Sequence, residues 1–348
     1  MTRILVFLAG AALCCAQPKI QGVAIFPASN VWNVAVDQVP LAGNSAAVIA
    51  EIAGNGTEHL HLDDVIPINV AHCAGLPLYT IGPGGGDNDP GTYCIPPDAI
   101  WEGGNQNIND GGDHHMLLVD LDSGILYETY QLMPKPPYTA YLVCKWDLAI
   151  NAQRAAGGGT EPEISSADAA GFPIVAGVLR YQDILDGAVV HALRVSMVHT
   201  ANGRFIWPAT HFTRDAKATP NSPPFGMRLR LKASFDVSKF SKTNQIILNG
   251  LKKYGLMVAD NGMYGGMQHD QDPRWDAKDL LVLHDVPMSA FEVVDQLGLM
   301  SSVMQATAVQ PPPAGVFASD KLGRSTVISY AELAAHLAAQ QTAGAPKR

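Results

Sequence analysis

The sequence predicts a mainly β fold, namely a β-sandwich or jelly-roll-like single domain with a few peripheral helices. Three observations support this class. The 348 residues include 33 glycines and 24 prolines, a content typical of a chain with many turns. Hydrophobic residues make up 47% and charged residues 16%, so the chain can bury a large core and is not intrinsically disordered. Short runs of alternating polarity predict strands rather than long helices.

The clearest local prediction is a β-hairpin over residues 188–211. Asn202-Gly203 lies between two alternating runs and favours a two-residue type I′ turn, because both central positions need positive φ. This turn would set the register and separate the side chains onto two faces. The core-facing set would be His191, Leu193, Val195, Met197 and Ile206, and the opposite set would be Arg194, Ser196, Trp207 and His211.

The opposite set combines an aromatic ring, a guanidinium and an imidazole. Trp207 could stack on a sugar ring, Arg194 could orient a sugar carboxylate, and His211 could transfer a proton. A plain exposed face with one tryptophan fits the same pattern. His191, on the other face, is predicted to be a structural histidine.

A second hairpin is predicted from residues 115–119, through Asp122-Ser123-Gly124, to residues 125–128. One of its faces is expected to be exposed, where a histidine and a glutamate could act as acid and base. An ordinary solvated sheet face explains the same residues. Counting outward from the turn puts His114, Glu128 and Tyr130 on one face and His115 on the other.

Three carboxylates are candidates for acid and base catalysis: Asp113, Glu128 and Asp168. Asp113 and His115 open the second hairpin after a Gly-rich loop. Asp168 allows two interpretations. It is a buried acid near the hairpins or, as we favour, the third residue of a turn capped by Ser165.

Two patterns resemble metal sites. His59-Leu-His61-Leu-Asp63 alternates so that three metal-capable side chains share a strand face, as in zinc hydrolases of the metallo-β-lactamase type. Those enzymes alternate strands with helices, a pattern missing here, and an ordinary polar strand end explains the same residues. Residues 105–113 space oxygen donors like a calcium loop, but with asparagines and without a distal glutamate. The other interpretations require no cofactor.

Few helices are predicted. The segment 45–53 follows Asn44 as a cap, and the segment 242–254 ends before Gly255. A short helix is expected around 276–283. A strand is expected at 291–294.

The first sixteen residues are predicted to be a signal peptide, because Arg3 precedes an apolar run that ends in small residues near Ala16. The main β-rich domain is expected over 17–296, followed by a Pro-rich linker and helical C-terminal tail over 297–348. The protein is therefore expected to be secreted, either extracellular or periplasmic. No later stretch is long and apolar enough to predict a membrane span.

Three cysteines remain after removal of this leader. Cys73 and Cys94 bracket a Gly-Pro loop and are predicted to form a disulfide in an oxidising compartment. Cys144 lies in an apolar stretch. It is predicted to be a buried thiol rather than a nucleophile.

Several classes of function are not expected. The formal net charge of −9, with 23 Lys and Arg, argues against nucleic-acid binding, which needs a basic face. A G-x-S-x-G elbow, a P-loop, a G-x-G-x-x-G turn after a strand and a C-x-x-C pair are all missing from the sequence. Serine esterase, NTPase and dehydrogenase activities are therefore not expected.

Several short runs of this sequence resemble segments of known proteins. They are FPASNVWN at 26–33, SADAAGFPI at 166–174, HALR at 191–194, IWPA at 206–209, LKKYG at 251–255, VADNG at 258–262 and FEVVD at 291–295. Together they resemble a family of secreted bacterial proteins without an assigned function. The resemblance covers roughly residues 26–295 and implies that this stretch is one unit. It implies no activity.

These observations predict a secreted carbohydrate-active enzyme, a glycoside hydrolase acting on a polysaccharide by carboxylate acid/base catalysis. The alternatives are a polysaccharide lyase on a uronate-containing glycan, a non-catalytic carbohydrate- or surface-binding protein, and a metal-dependent hydrolase. The predicted substrate-binding residues are Tyr130, Arg194 and Trp207. The predicted catalytic residues are Asp113, His115, Glu128, Asp168 and His211, and the metal ligands would be His59, His61 and Asp63.

Overall fold

The computed structural model describes residues 17–82, 88–104, 112–151, 153–154, 165–203, 205–296 and 299. They contain more strand than helix and form several sheets, which confirms the predicted mainly β fold with few helices. The strands are β1 (Lys19–Ile20), β2 (Val23–Ala24), β3 (His61–Ile66), β4 (Ile68–Ala71), β5 (Leu78–Thr80), β6 (Thr92–Cys94), β7 (Met116–Asp120), β8 (Ile125–Tyr130), β9 (Leu142–Asp147), β10 (Leu193–Met197), β11 (Arg228–Leu231), β12 (Leu256–Asn261), β13 (Gly266–Asp270) and β14 (Phe291–Val293). The helices are α1 (Ser45–Ile52), α2 (Ile174–Gly177), α3 (Tyr181–Leu185), α4 (Lys242–Lys253) and α5 (Ala277–Leu281), with 3₁₀ turns at Gly54–Gly56, Val282–Asp285 and Met288–Ala290.

The largest sheet has six strands in the order β14-β11-β12-β10-β13-β3. β10 lies in its interior, parallel to β12 and antiparallel to β13, and β13 runs parallel to β3. A second sheet has four strands in the order β4-β7-β8-β9. The remaining described sheets are the pairs β1-β2 and β5-β6.

Side chains from the two larger sheets form one hydrophobic core, to which Leu117 of β7 and Leu193 of β10 both belong. The neighbouring residues of β7, Met116 and Leu118, belong to a second core together with Tyr93 of β6. Because successive residues of a strand point to opposite faces, the four-stranded sheet is buried on both sides. It is the middle layer between the six-stranded sheet and the β5-β6 pair.

This layering corrects the prediction for the second hairpin. The hairpin is formed, but β7 and β8 pair Leu117 with Glu128. This register puts His115, rather than His114, on the face of Glu128 and Tyr130. A shift of one residue exchanges the two faces of a strand, and the predicted turn position carried such a shift. The predicted exposed face is also wrong, because a core covers each side.

The hairpin predicted over residues 188–211 is not formed. β10 is bordered by β12 and β13, so its edges are not available to the segment that follows Asn202-Gly203. Phe205 instead forms an isolated bridge with Phe225. The predicted alternation of β10 itself is confirmed, since Leu193, Val195 and Met197 are buried in the core.

Other local predictions are confirmed. The helices α1, α4 and α5 and the strand β14 lie in the predicted segments. Cys73 and Cys94 form the predicted disulfide, which is typical of an oxidising compartment. Cys144 is a buried free thiol, and burial raises its pKa above the ordinary value. His191 is fully buried and hydrogen-bonded to Asp183, as expected of a structural histidine.

None of the helices in the described ranges is long and apolar enough to cross a membrane. The predicted signal peptide lies outside the described residues, as do the predicted tail apart from Leu299 and most of the calcium-like loop. The boundaries at 17 and 296 therefore stay predictions.

Candidate active site

Two adjoining cavities form a cleft beside the six-stranded sheet. The larger has a volume of about 880 Å³ and is lined by residues of β3, β10, β12 and β13 and of the segment before β7. The smaller has a volume of about 310 Å³ and is lined by residues 165–169 and by parts of β8 and β9. Asp113 and Asp260 line both cavities, so the cavities meet at this pair of carboxylates.

A row of polar side chains crosses four neighbouring strands and borders the larger cavity. The Nε2 of Gln268 on β13 donates to Asp64 Oδ2 on β3 at 2.9 Å. The Oε1 of Gln268 accepts from Nη1 of Arg194 on β10. Nη2 of Arg194 also donates to Asp260 Oδ2 on β12 at 3.1 Å. Because each residue comes from a different strand, the sheet itself fixes their order.

Asp168 anchors Arg194 from the side of the smaller cavity. Arg194 donates to Asp168 Oδ2 from Nη2 at 2.5 Å and from Nε at 3.2 Å. The Asp168 side chain has 0% exposure. Burial raises the pKa of Asp168 above its ordinary value, while the charge of Arg194 opposes that shift. Asp168 fits both interpretations. It is a buried acid that positions Arg194, and it lies in a turn where its amide donates to Ser166 Oγ at 3.1 Å, in place of the predicted Ser165.

His115 forms a buried pair with Glu102, a residue that the sequence did not single out. Its Nδ1 lies 2.5 Å from Glu102 Oε2, and its Nε2 lies 3.0 Å from the Ala167 carbonyl oxygen. Both neighbours are acceptors, so the pair holds a proton between Nδ1 and the carboxylate. Burial has the largest single effect and lowers the pKa of His115, but the hydrogen bond to Glu102, the charges of Glu102 and Asp113 and the bond to Ala167 together outweigh it and raise the pKa overall. Burial raises the pKa of Glu102, but its hydrogen bonds with His115 and the charges of His115 and Arg194 together lower that pKa below the ordinary value.

Asp113 completes a group with this pair. Glu102, Asp113 and His115 each offer one ligand-capable atom, and these atoms lie within 4.8 Å of one another. Such a group could hold a metal ion, but the hydrogen bonds of His115 account for the arrangement as it stands. Asp113 also hydrogen-bonds the hydroxyl of Tyr130, whose pKa is raised first by burial and then by this carboxylate.

The smaller cavity has an aromatic edge. The rings of Tyr130 and Tyr141 meet edge to face at 5.8 Å, and Tyr141 is 58% exposed. His211 also lines this cavity, and its Nδ1 donates to the Ala169 carbonyl oxygen at 2.8 Å. This bond selects the tautomer whose Nε2 carries the lone pair. Tyr130 and His211 therefore border the cleft, as their predicted roles in substrate binding and catalysis require.

Glu128 and Trp207 do not reach the cleft. Glu128 is fully buried, and its carboxyl oxygens accept from Trp146 Nε1 at 3.0 Å and from the Val175 amide at 2.9 Å. Burial raises the pKa of Glu128 to about 7. Trp207 is 3% exposed and belongs to the main core. As a correction to the prediction, neither side chain is placed to contact a ligand in the cleft.

The predicted metal ligands are also placed differently. Nδ1 of His61 lies 3.2 Å from Nε2 of His284, and the backbone of His59 bridges Pro287. The side chain of Asp63 lies outside the described parts of the chain. Among the side chains that the structure describes, the group with metal-binding geometry is the one at His115 and contains neither His59 nor His61.

Several residues of the cleft were missed, among them Asp64, Glu102, Asp260, Gln268 and Tyr141. Two of them carry a weak signal in the sequence, because Glu102 precedes a Gly-Gly pair and Asp260 lies in the VADNG run. No local sequence pattern around Gln268 indicates a role in the cleft. Its role depends on which strands lie beside β13.

No protein-family model matches the chain, and no curated protein or solved structure matches it either. The resemblance to secreted bacterial proteins therefore stays a prediction. The function has to be inferred from the geometry and chemistry of the cleft.

Proposed function

We propose that this chain is a secreted glycoside hydrolase that cleaves a polysaccharide where the two cavities meet. The observation that carries the proposal is that Asp113 and Asp260 line both cavities. Glycoside hydrolases use two carboxyl groups that flank the scissile bond. A sugar in each cavity would put the bond between the sugars beside this pair.

The neighbours of the two carboxylates suggest their roles. Asp260 accepts a hydrogen bond from Arg194, so we assign to Asp260 the activation of water. Asp113 lies beside the Glu102–His115 pair, which holds a proton, so we assign to Asp113 protonation of the leaving oxygen. Asp260 takes a proton from the water, the water oxygen bonds to the anomeric carbon as the glycosidic C–O bond breaks, and Asp113 gives its proton to the leaving oxygen.

The cleft favours this reaction over the lyase alternative. A lyase needs a cation to neutralise the uronate carboxylate, but Arg194 already donates to Asp168, Asp260 and Gln268. A uronate would also meet the carboxylates that line the larger cavity. Hydrolysis of a glycan without uronates needs no free cation in the cleft and brings no further carboxylate into the larger cavity.

Secretion is supported by two independent features. The first sixteen residues have the pattern of a signal peptide. The Cys73–Cys94 disulfide is typical of proteins that fold in an oxidising compartment.

The test is release of reducing ends from a panel of polysaccharides. Asp113→Asn and Asp260→Asn are nearly isosteric, and each is expected to lower kcat at least about 100-fold, the usual contribution of a general acid or base. Asp98→Asn removes an exposed carboxylate that does not line either cavity, and it should retain full activity.

Four other outcomes would contradict the proposal. Turnover that survives both cleft substitutions would place the chemistry elsewhere. Unsaturated products that absorb in the ultraviolet would indicate a lyase. Binding without turnover would indicate a carbohydrate-binding protein, and turnover abolished by a chelator would indicate a metal-dependent hydrolase.

A further inference from the structure

We infer that the substrate is a cationic glycan built from sugars that carry a free amine. This inference rests on the proposed function and concerns the charge of the larger cavity. Four carboxyl groups line that cavity, those of Asp64, Glu102, Asp113 and Asp260, of which Asp113 carries a proton in the proposed reaction. Among the described residues that line it, Arg194 is the one Lys or Arg side chain. A cleft with walls of one charge concentrates ligands of the opposite charge.

Arg194 does not offset this negative charge for a ligand. Its Nε and both Nη atoms donate to Asp168, Asp260 and Gln268. Its side chain is 8% exposed. Asp168, buried behind it, is a further carboxylate that balances the guanidinium. The carboxylates that border the cavity thus outnumber the positive charge available to balance them.

Asp64 is the carboxylate best placed to bind an ammonium group. Glu102 is paired with His115, and Asp260 is paired with Arg194. Asp64 is exposed, and the donor to its Oδ2 is the neutral amide of Gln268. Asp64 lines the larger cavity but not the smaller one, so it lies away from the junction where the bond would be cleaved. An amine on a sugar in the larger cavity would pair with it.

The aromatic edge distinguishes a cationic sugar from other cations. Tyr130 and the exposed Tyr141 border the smaller cavity and offer ring surface to a pyranose. A lysine-rich peptide would satisfy the carboxylates without using these rings. The combination of a carboxylate-lined cavity and an aromatic edge therefore fits an amine-bearing saccharide.

The test compares two ligands that differ in charge and in acetylation. Binding of the glucosamine hexamer and of the N-acetylglucosamine hexamer is measured by calorimetry at mildly acidic pH, where the sugar amines are protonated. We expect the amine-bearing hexamer to bind at least about tenfold more tightly, and this preference should shrink as salt screens the charges. Asp64→Asn should weaken binding of the amine-bearing hexamer by about fivefold, the upper range for one exposed ion pair, and leave the acetylated hexamer unaffected. Asp98→Asn should change neither.

The outcomes separate this inference from the proposed function. Preferential binding of the amine-bearing hexamer without cleavage would support the inference and contradict the hydrolase. Equal binding of the two hexamers, or faster cleavage of the acetylated one, would overturn the inference while leaving the hydrolase intact. A hexalysine peptide that binds as tightly as the amine-bearing hexamer would also overturn it, because the cleft would then recognise charge alone.

Discussion

Two arginines lie in the same row of the six-stranded sheet but are buried in different ways. Arg194 of β10 and Arg228 of β11 are each paired with Met257 of β12, from opposite sides. Burial lowers the pKa of Arg194, but Asp168 and Asp260 outweigh it and raise that pKa above the ordinary value. Arg228 is fully buried, and burial lowers its pKa to about 9.

The partners of Arg228 are backbone carbonyls. Its Nε donates to Tyr254 at 2.7 Å, and its Nη atoms donate to Val31 at 3.1 Å and Val34 at 3.3 Å. It therefore ties the N-terminal segment to the end of α4. Arg194 instead links a buried acid to residues of the cleft. The comparison distinguishes a charge that maintains the fold from one that organises the candidate site.

The largest expected effect follows removal of Arg228. Arg228→Met leaves three backbone carbonyls without their donor, so we expect the free energy of unfolding to fall by about 4 kcal/mol. Denaturant titration measures this loss. Arg274→Met, which removes an arginine paired with Asp272 at the surface, is the control and should leave stability nearly unchanged. Equal stability of Arg228→Met and wild type would show that these bonds do not hold the N-terminal segment.

Glu128 is a buried acid with no cationic partner among the described residues, so the stability of the protein should respond to its titration. The pKa of Glu128 is raised by burial from 4.5 to about 7, so the folded state binds its proton more tightly than the unfolded state. The stabilisation is complete below the unfolded value and is lost as pH rises through the folded value. Between about pH 5 and pH 8 the wild type should lose about 2 to 3 kcal/mol relative to Glu128→Gln. Parallel stability profiles of the two proteins would show that Glu128 does not titrate in this range.

The stability effects of substituting Arg194 and Asp168 should be coupled, because the two side chains pair directly. Arg228 cannot be tested in this way, because its partners are backbone carbonyls. Arg194→Met leaves a buried carboxyl without its cation, and adding Asp168→Asn removes the unpaired group. The double variant should therefore be more stable than the sum of the single effects by about 2 kcal/mol. A double-mutant cycle measures this difference. Strict additivity would mean that the pair does not interact in the folded protein.

Local features of the fold could be predicted from the sequence. The helices at α1 and α4, the disulfide and the alternation of β10 depend on nearby residues, and all are present. The prediction of a hairpin at Asn202-Gly203 was wrong because of pairing with distant parts of the chain. The partners of β10 are β12 and β13, which lie far along the chain, and their pairing overrides the preference of the turn.

The residues of the candidate site also fall into those that local sequence predicted and those that depend on distant parts of the chain. Asp113, His115, Tyr130, Asp168, Arg194 and His211 were recognised by residue type, and the fold brings all of them to the cleft. Glu128 and Trp207 were assigned to the site because a sequence does not reveal that both faces of a sheet are covered. Asp260 and Gln268 were missed because their importance comes from their position beside Arg194 across two strand pairs.

The central claim is that Asp113 and Asp260, where the two cavities meet, catalyse the addition of water across a glycosidic bond. Mass spectrometry of products formed in water enriched in heavy oxygen tests it most directly. The wild type should place one heavy oxygen at each newly formed reducing end and none at the other new end, and Asp260→Asn should form almost no labelled product. Unlabelled products with a double bond, or equal labelling by wild type and Asp260→Asn, would contradict it.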